Sequence, residues 1–501
     1  MMKKYVLAID QGTTGTTSMV FGHDGAPRSR ANQEFPQYFP RGGWVEHDPE
    51  EIWQCVLSTV EKALTAADIS ASELACVGIT NQRETSVFWR RGTTEPVGRA
   101  IVWQCRRSAD VCERLKLAGL EEEFRARTGL VLDPYFSGTK VTWKMENDPE
   151  FARAAESGEM SFGTVDSWVL SRLTGGSVHA TDYSNASRTL MFNIRELAWD
   201  RVLLDALGVP ASLLPEVRES SFVFGETDPE LFFGAAVPIS GIAGDQQAAL
   251  FGQACYRPGM TKNTYGTGSF VLMNTGGQAV DSPTGMLTTI AWGLGGEVVY
   301  ALEGSIFVTG AAVQWLRDGL KIIDSAARVG PIAEATVDTG GVYFVPALVG
   351  LGAPYWDPYA RGAILGITRG TTGDQIVRAA VEAMAYQTRD VMEAMESDSG
   401  IKVSSLRVDG GASVMDVLLS FQSDLLGVEV QRPVVAETTA LGAAYLAGLA
   451  VGYWESPDEI ERIWRAEKTF RPSVEKGHMD ILYTGWKKAV ERTRHWEEHG
   501  D

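Results

Sequence analysis

The sequence predicts an α/β fold in two domains. Strand-like and helical stretches alternate along the chain, the pattern of α/β architecture. Its 501 residues, 44% of them hydrophobic, suffice for two substantial cores. A Gly-Thr turn between two apolar strands also occurs twice, about 250 residues apart, which suggests two related halves facing one ligand. No Pro- or Ser-rich linker separates those halves. The boundary therefore falls near Gly252 from the arrangement of motifs, giving domains 1–252 and 253–501.

The first hairpin signal is YVLAIDQGTTGTTSMVF, residues 5–21, an apolar strand running into Asp10, a turn through Gly12 to Gly15, and a second strand. Its turn amides can form an anion-binding nest, and Thr13, Thr14, Thr16 and Thr17 offer hydroxyls with no loop lysine; an ordinary β-hairpin has the same outline. Asp48-Pro49-Glu50-Glu51 reads as a helix start, with Ile52, Val56, Val60 and Leu64 on one buried face. In ISGIAGDQQAALFG, residues 239–252, a strand pattern ends in Gly-Asp and a small-residue helix begins at once. KNTYGTGSFVLMNT, residues 262–275, repeats the strand, Gly-Thr-Gly turn and strand. Thr372 and Gln375 have capping-box spacing, followed by Ile376, Ala379, Ala380, Ala383 and Met384 as a buried stripe. The uncharged run from Thr438 to Trp454 is short of a spanning length and rich in Gly and Ala, so it reads as a buried helix. After about residue 455 a charged tail with Trp464, Trp486 and Trp496 reads as helical and superficial.

Charge and cysteine content narrow the function classes. A formal net charge of -19 argues against nonspecific nucleic-acid or anionic-membrane binding. Five cysteines, at 55, 76, 105, 112 and 255, show no metal-ligand spacing and suit reduced thiols in the cytoplasm. The start MMKKYVLAIDQG has too short an apolar run for a signal peptide. No Gly-Lys dipeptide or HRD sequence occurs, which excludes a Walker A loop and disfavours a protein-kinase catalytic loop. Any phosphate grip must come from the two hairpins. At the strand-to-helix junction, Asp245 is placed either to cap the helix or to accept a proton from a hydroxyl, with Gln246 beside it. Arg83 and Glu84 lie between the strand patterns ACVGIT and TSVFW, where an adjacent charged pair is ordinarily exposed to solvent.

Ten stretches in fixed order carry a resemblance to a known family: DQGTTGTT, ITNQRET, IVWQ, DPYFSGTK, DYSNASRT, SGIAGDQQAALFGQ, KNTYGTGSF, ALVGLGAPYWDPYARGAILG, VDGGAS and ETTALGAAYLAG. Over residues 4 to 455 the chain resembles the FGGY carbohydrate kinases, and NQRET points to their glycerol branch. The resemblance implies two ribonuclease-H-like domains of the actin and hexokinase superfamily, with the active site in the cleft between them. It implies transfer of the ATP γ-phosphoryl group to glycerol, with Asp245 as catalytic base. Arg83, Glu84, Trp103, Tyr135, Gln246 and Phe270 would join Asp245 around the polyol. Thr13, Thr14, Gly15 and Thr267 would hold phosphates, and Gly310, Gln314, Gly411 and Met415 the rest of the nucleotide. Asp10 would hold Mg²⁺ directly or through water. A homodimer or homotetramer is the assembly expected from the resemblance.

The chain departs from the family pattern at several points. Thr17 stands where many relatives carry an Arg, so one positive phosphate contact is missing. Met415 replaces an Asn beside adenine, and Cys105 replaces the Asp after WQ. Ala236 and Leu231 replace the basic residue and the histidine through which some bacterial relatives are regulated by fructose 1,6-bisphosphate and by phosphorylation; neither control is expected here. Two other readings stay open: a family member acting on a pentulose or another polyol, and an ATP-gated binding module of the actin and chaperone superfamily that phosphorylates no small molecule.

Overall fold

The first Gly-Thr hairpin forms as its sequence predicts: β1 (Tyr5–Gln11) and β2 (Gly15–Phe21) pair antiparallel, with Asp10 opposite Thr17. The computed structural model describes residues 4–497, so the first three residues of the start segment and the last four of the tail lie outside the described residues. β3 (Pro27–Glu34) adds antiparallel to β2, and β4 (Leu74–Asn81) adds parallel to β1. β5 (Ser221–Glu226) and β6 (Pro238–Gly244) complete a six-stranded sheet of order β5-β6-β4-β1-β2-β3. β1 is apolar at consecutive positions because both of its faces are covered. Leu7 and Ile9 pack in one cluster with α1 (Pro49–Ala67), whereas Val6 and Ala8 belong to another on the opposite face. The start of α1 matches its signal: Asp48 accepts from the Glu50 amide at 2.9 Å, and Ile52, Val56, Val60 and Leu64 are buried.

The second half repeats this plan. β7 (Met260–Tyr265), β8 (Ser269–Gly276), β9 (Leu287–Leu294), β10 (Glu297–Ile306), β11 (Ser405–Gly410), β12 (Val430–Pro433) and β13 (Ala466–Phe470) form a seven-stranded sheet of order β9-β10-β8-β7-β11-β12-β13. In both sheets the Gly-Thr hairpin pairs antiparallel and its first strand runs parallel to a later central strand. The shared order makes the two turns equivalent. Thr372 begins the long helix Gly373–Ser399 with the reciprocal capping box: the Gln375 amide donates to Thr372 Oγ1 at 3.3 Å, and the Thr372 amide to Gln375 Oε1 at 3.1 Å.

The halves meet through α2 (Asp245–Gly252) and α3 (Thr438–Ala450). α3 comes from the second half yet packs on β1, β4 and β6 of the first sheet. Its crossing with α2 is so close that a β-carbon on Gly442 would lie 1.8 Å from the Ala248 carbonyl oxygen, which explains the Gly- and Ala-rich composition. Among the described residues, no helix is long and apolar enough to cross a membrane.

The segment after residue 455 is only partly the superficial helical tail expected. Within it, β13 extends the second sheet, and the helix Lys476–Glu491 buries Trp486 completely. Trp486 Nε1 donates to Asp390 Oδ2 at 2.7 Å, and Tyr483 Oη to Asp390 Oδ1 at 2.6 Å. Met479, Tyr483, Trp486 and Val490 form a helical stripe that the surrounding charges obscure in sequence.

Candidate active site

The phosphate-type turns are built from backbone contacts. Gly12 N donates to the Gly15 carbonyl at 2.9 Å, and Gln37 Nε2 to the Thr13 carbonyl at 3.0 Å, fixing the turn that carries Thr13, Thr14 and Gly15. The β-pleat divides the threonines. Thr17 shares the Asp10 face and accepts from Asn32 Nδ2 at 2.9 Å, whereas Thr16 is buried, which removes it from the expected hydroxyl set.

In the second half, Thr309 N and Ala311 N donate to the Thr267 carbonyl at 2.9 and 3.0 Å. This seats the helix Gly310–Asp318 against the turn, where a β-carbon on Gly310 would lie 2.6 Å from the Gly266 oxygen. Gly410 pairs with Tyr265 in the parallel β7–β11 register, so Gly411 follows at the same sheet end as Thr267 and Gly310. Gln314 is exposed one turn along that helix. Met415 is half-buried at the start of Asp416–Leu426 and packs against the second core.

Asp245 is not the N-cap. Gly244 takes that position, and Asp245 is the first helical residue, one third exposed, accepting from the Gln246 amide at 2.7 Å. Gln246 Nε2 donates to Asp245 Oδ2 at 3.2 Å, and Arg83 Nε lies 3.2 Å from Asp245 Oδ1. Arg83 and Glu84 correct the expectation of exposure: they are 3% and 1% exposed. Glu84 has φ 59°, a left-handed backbone that a non-glycine residue adopts at a cost, and surrounding contacts hold it there. Glu84 Oε1 accepts from Arg188 Nε at 2.8 Å. Arg83 and Arg188 both donate to Glu303 on β10.

Two of the three aromatic residues expected around the polyol lie together. Trp103 and Tyr135 meet edge to face at 5.4 Å between ring centroids, and Trp103 Nε1 donates to Thr13 Oγ1 at 2.9 Å. That hydrogen bond ties the aromatic pair to the first Gly-Thr hairpin. Phe270, beside the second turn, pairs with Thr264 and Ser305 in its sheet.

Glu303, Arg188, Gln247 and Lys262 are absent from the sequence-based site. Gln247 Oε1 accepts from Arg83 Nη1 at 3.2 Å, and Lys262 Nζ donates to Gln246 Oε1 and, at 3.0 Å, to Thr264 Oγ1. A signal existed for two of them: Lys262 and Glu303 are charges inside otherwise buried strands, where a charge needs a partner.

Electrostatics separates the carboxylates. Burial would raise Glu303, but Arg188 and Arg83 outweigh it and hold the carboxyl down at about 2. For Glu84 burial prevails over the same two guanidinium groups, and its carboxyl lies above the usual range. Asp10 is pushed up to about 7 by burial and then by Asp245, with Arg30 opposing. Burial lowers Lys262 to about 8 against the pull of Asp409, Asp245 and Glu303. Among the described residues, no group of three or more His, Cys, Asp or Glu could hold a metal ion. The single carboxylate of Asp10 fits only a Mg²⁺ that takes its other ligands from outside the protein.

Two sheets that share a core strand order, each presenting a Gly-Thr turn, with an acid-and-amide cluster between them, have the architecture of a two-domain phosphotransferase of the actin and hexokinase type. The N-terminal domain model of the FGGY family of carbohydrate kinases matches residues 5–252, and its C-terminal domain model residues 261–451. The chain belongs to the FGGY family of carbohydrate kinases. It is 58% identical to a glycerol kinase of Carboxydothermus hydrogenoformans, covering 99% of each chain. It is 59% identical to glycerol kinase 2 of Thermotoga maritima, covering 99% of this chain and 100% of that one. Among solved structures, Plasmodium falciparum glycerol kinase with ADP superposes with a TM-score of 0.93 at 35% identity over 98% of each chain. A xylulose kinase from Lactobacillus acidophilus shares the fold, with a TM-score of 0.86 at 21% identity over 98% of this chain and 99% of that one.

Proposed function

We propose that this chain transfers the γ-phosphoryl group of ATP to a terminal hydroxyl of glycerol, giving sn-glycerol 3-phosphate and ADP. The observation that carries the reading is the placement of Asp245 beside Arg83 and Gln246 at the β6–α2 junction. Asp245 accepts the hydroxyl proton as the oxygen attacks phosphorus in line, and the β,γ-bridging oxygen leaves with ADP. Arg83 donates to acceptor oxygens, Glu84 accepts from hydroxyl protons, and Gln246 and the Tyr135 hydroxyl complete the polar set. Trp103 and Phe270 cover the carbon skeleton, the apolar wall that a small polyol site requires.

Thr13, Thr14, Gly15 and Thr267 hold the phosphates, and Gly310, Gln314, Gly411 and Met415 line the nucleoside pocket. Asp10 would hold Mg²⁺, which would neutralise phosphate charge when bound with ATP. In this reading the domains divide near residue 252, the protein works in the cytoplasm, and it assembles as a homodimer or homotetramer. The buried charge cluster supports a polyol over a purely gating role, because it sets hydrogen-bond donors and acceptors beside Asp245 in addition to the two Gly-Thr turns.

The test is coupled ADP release with MgATP and glycerol, xylulose, ribulose, erythritol, dihydroxyacetone or no acceptor. Selective turnover of glycerol is expected. Activity with another acceptor alone would reassign the substrate, and acceptor-independent hydrolysis would favour the gating module.

A further inference from the structure

Arg30 stands on the face of the first sheet that carries Asp10. Asp10 lies opposite Thr17, Thr17 opposite Asn32, and Met19 opposite Arg30. The Asn32 to Thr17 side-chain hydrogen bond fixes which way this face points, and Arg30 shares it because it lies two residues from Asn32. The alternate positions point the other way: Ala31 packs with the α1 cluster, Ser29 Oγ donates to the Ala63 carbonyl of α1 at 2.7 Å, and Gln33 accepts from Ser58 at 2.8 Å.

Arg30 Nε lies 3.2 Å from Glu437 Oε1, and these side chains are 51% and 40% exposed. Glu437 directly precedes α3. Its neighbour Thr438 donates to Asp409 Oδ2 at 2.6 Å, just before the Gly410-Gly411 turn. The ion pair thus joins the Asp10 face to the sheet end where Thr267, Gly310 and Gly411 converge. Other cations at the site are committed: Arg83 to Glu303 and Asp245, and Lys262 to Gln246 and Thr264. Both are buried.

We infer that Arg30 is a nucleotide-contacting residue, supplying from β3 a phosphate-facing cation on the face that carries Asp10 and Thr17, with Glu437 as the counter-ion it exchanges for a phosphate oxygen. This rests on the proposed ATP-dependent reaction. An exposed ion pair is a weak competitor, and a guanidinium fork suits phosphate oxygens, so the exchange is physically easy. No bond is made or broken to Arg30.

The experiment compares wild type, Arg30→Gln, Glu437→Gln and the double variant Thr17→Arg/Arg30→Gln. KM for MgATP, KM for glycerol, and direct ADP binding by calorimetry would be measured, with melting curves to establish folding. Arg30→Gln is expected to raise KM for MgATP and Kd for ADP about tenfold, the effect of losing one hydrogen bond to a charged group, while KM for glycerol stays within about twofold. Thr17→Arg, one strand nearer Asp10 on the same face, is expected to recover most of that loss. Glu437→Gln removes the same ion pair but spares Arg30, so nucleotide affinity should hold or improve. Unchanged nucleotide affinity in folded Arg30→Gln, or an equal loss in Glu437→Gln, would overturn the inference. If wild type gave no glycerol-dependent ADP release, the proposed function would fall while the ADP titration still judged Arg30.

Discussion

Arg83 and Glu303 form a two-pronged ion pair across the halves of the molecule. Arg83 Nη1 donates to Glu303 Oε2 at 2.5 Å and Nη2 to Oε1 at 3.0 Å, although the residues are 220 positions apart. Arg83 follows β4 of the first sheet and Glu303 lies on β10 of the second, so the pair fixes the Arg83 guanidinium relative to both domains. Arg188 binds the same carboxylate at 3.0 Å.

Removing that charge should cost both stability and acceptor binding. Glu303→Gln leaves Arg83 and Arg188 buried beside a neutral amide, and breaking a buried pair in this way costs about 3–5 kcal/mol. Urea denaturation should show that loss, and KM for glycerol should rise in the surviving native protein. A stability change below about 1 kcal/mol would contradict the cluster's role.

Asp245→Asn should keep the fold and lose turnover. Asn retains the size of the side chain at the one-third-exposed first helical position but does not take up the hydroxyl proton. A fall in kcat of about 10²–10⁴ is expected, the usual contribution of a general base. Wild-type turnover by folded Asp245→Asn protein would remove it from that role.

Trp103→Phe separates the ring from its hydrogen bond. The substitution keeps an aromatic wall against Tyr135 while breaking the donation to Thr13. Because Thr13 belongs to the hairpin proposed to hold phosphates, KM for MgATP should rise about threefold to tenfold along with KM for glycerol, in line with one modest hydrogen bond. A change confined to glycerol would show that this bond does not couple the two pockets.

Asp390 gives a pH dependence of stability. Burial raises its carboxyl to about 7, with Tyr483 and Trp486 partly opposing. The native state therefore keeps a proton that the unfolded chain releases near 3.8. Between those values the native state binds more protons, so this group's contribution falls as pH rises and levels off above about 7. The melting-temperature difference between wild type and Asp390→Asn should shift accordingly from pH 5 to pH 8, with wild type losing ground as pH rises. A pH-independent difference would refute the assignment.

Much of the local architecture was legible in sequence. Gly-Thr signals located both hairpins, Asp48-Pro49 and Thr372 with Gln375 started their helices, and the Gly-Asp junction placed Asp245 where strand becomes helix. Each signal works over a few residues, through backbone conformation, capping or apolar periodicity. The tail was harder to read because its buried stripe of Met479, Tyr483, Trp486 and Val490 lies among charged residues, and the sheet edge that accepts β13 comes from distant chain.

The sequence by itself determined the repeated hairpins, the main caps and the residue types available for phosphate and hydroxyl chemistry. Tertiary structure alone decided that Arg83 and Glu84 are buried, that Thr16 turns away while Thr17 faces Asp10, and that Glu303, Arg188 and Lys262 join the site. Hairpins and caps arise from neighbouring backbone groups, whereas the partner of a charged side chain depends on which distant strand the folded chain sets beside it.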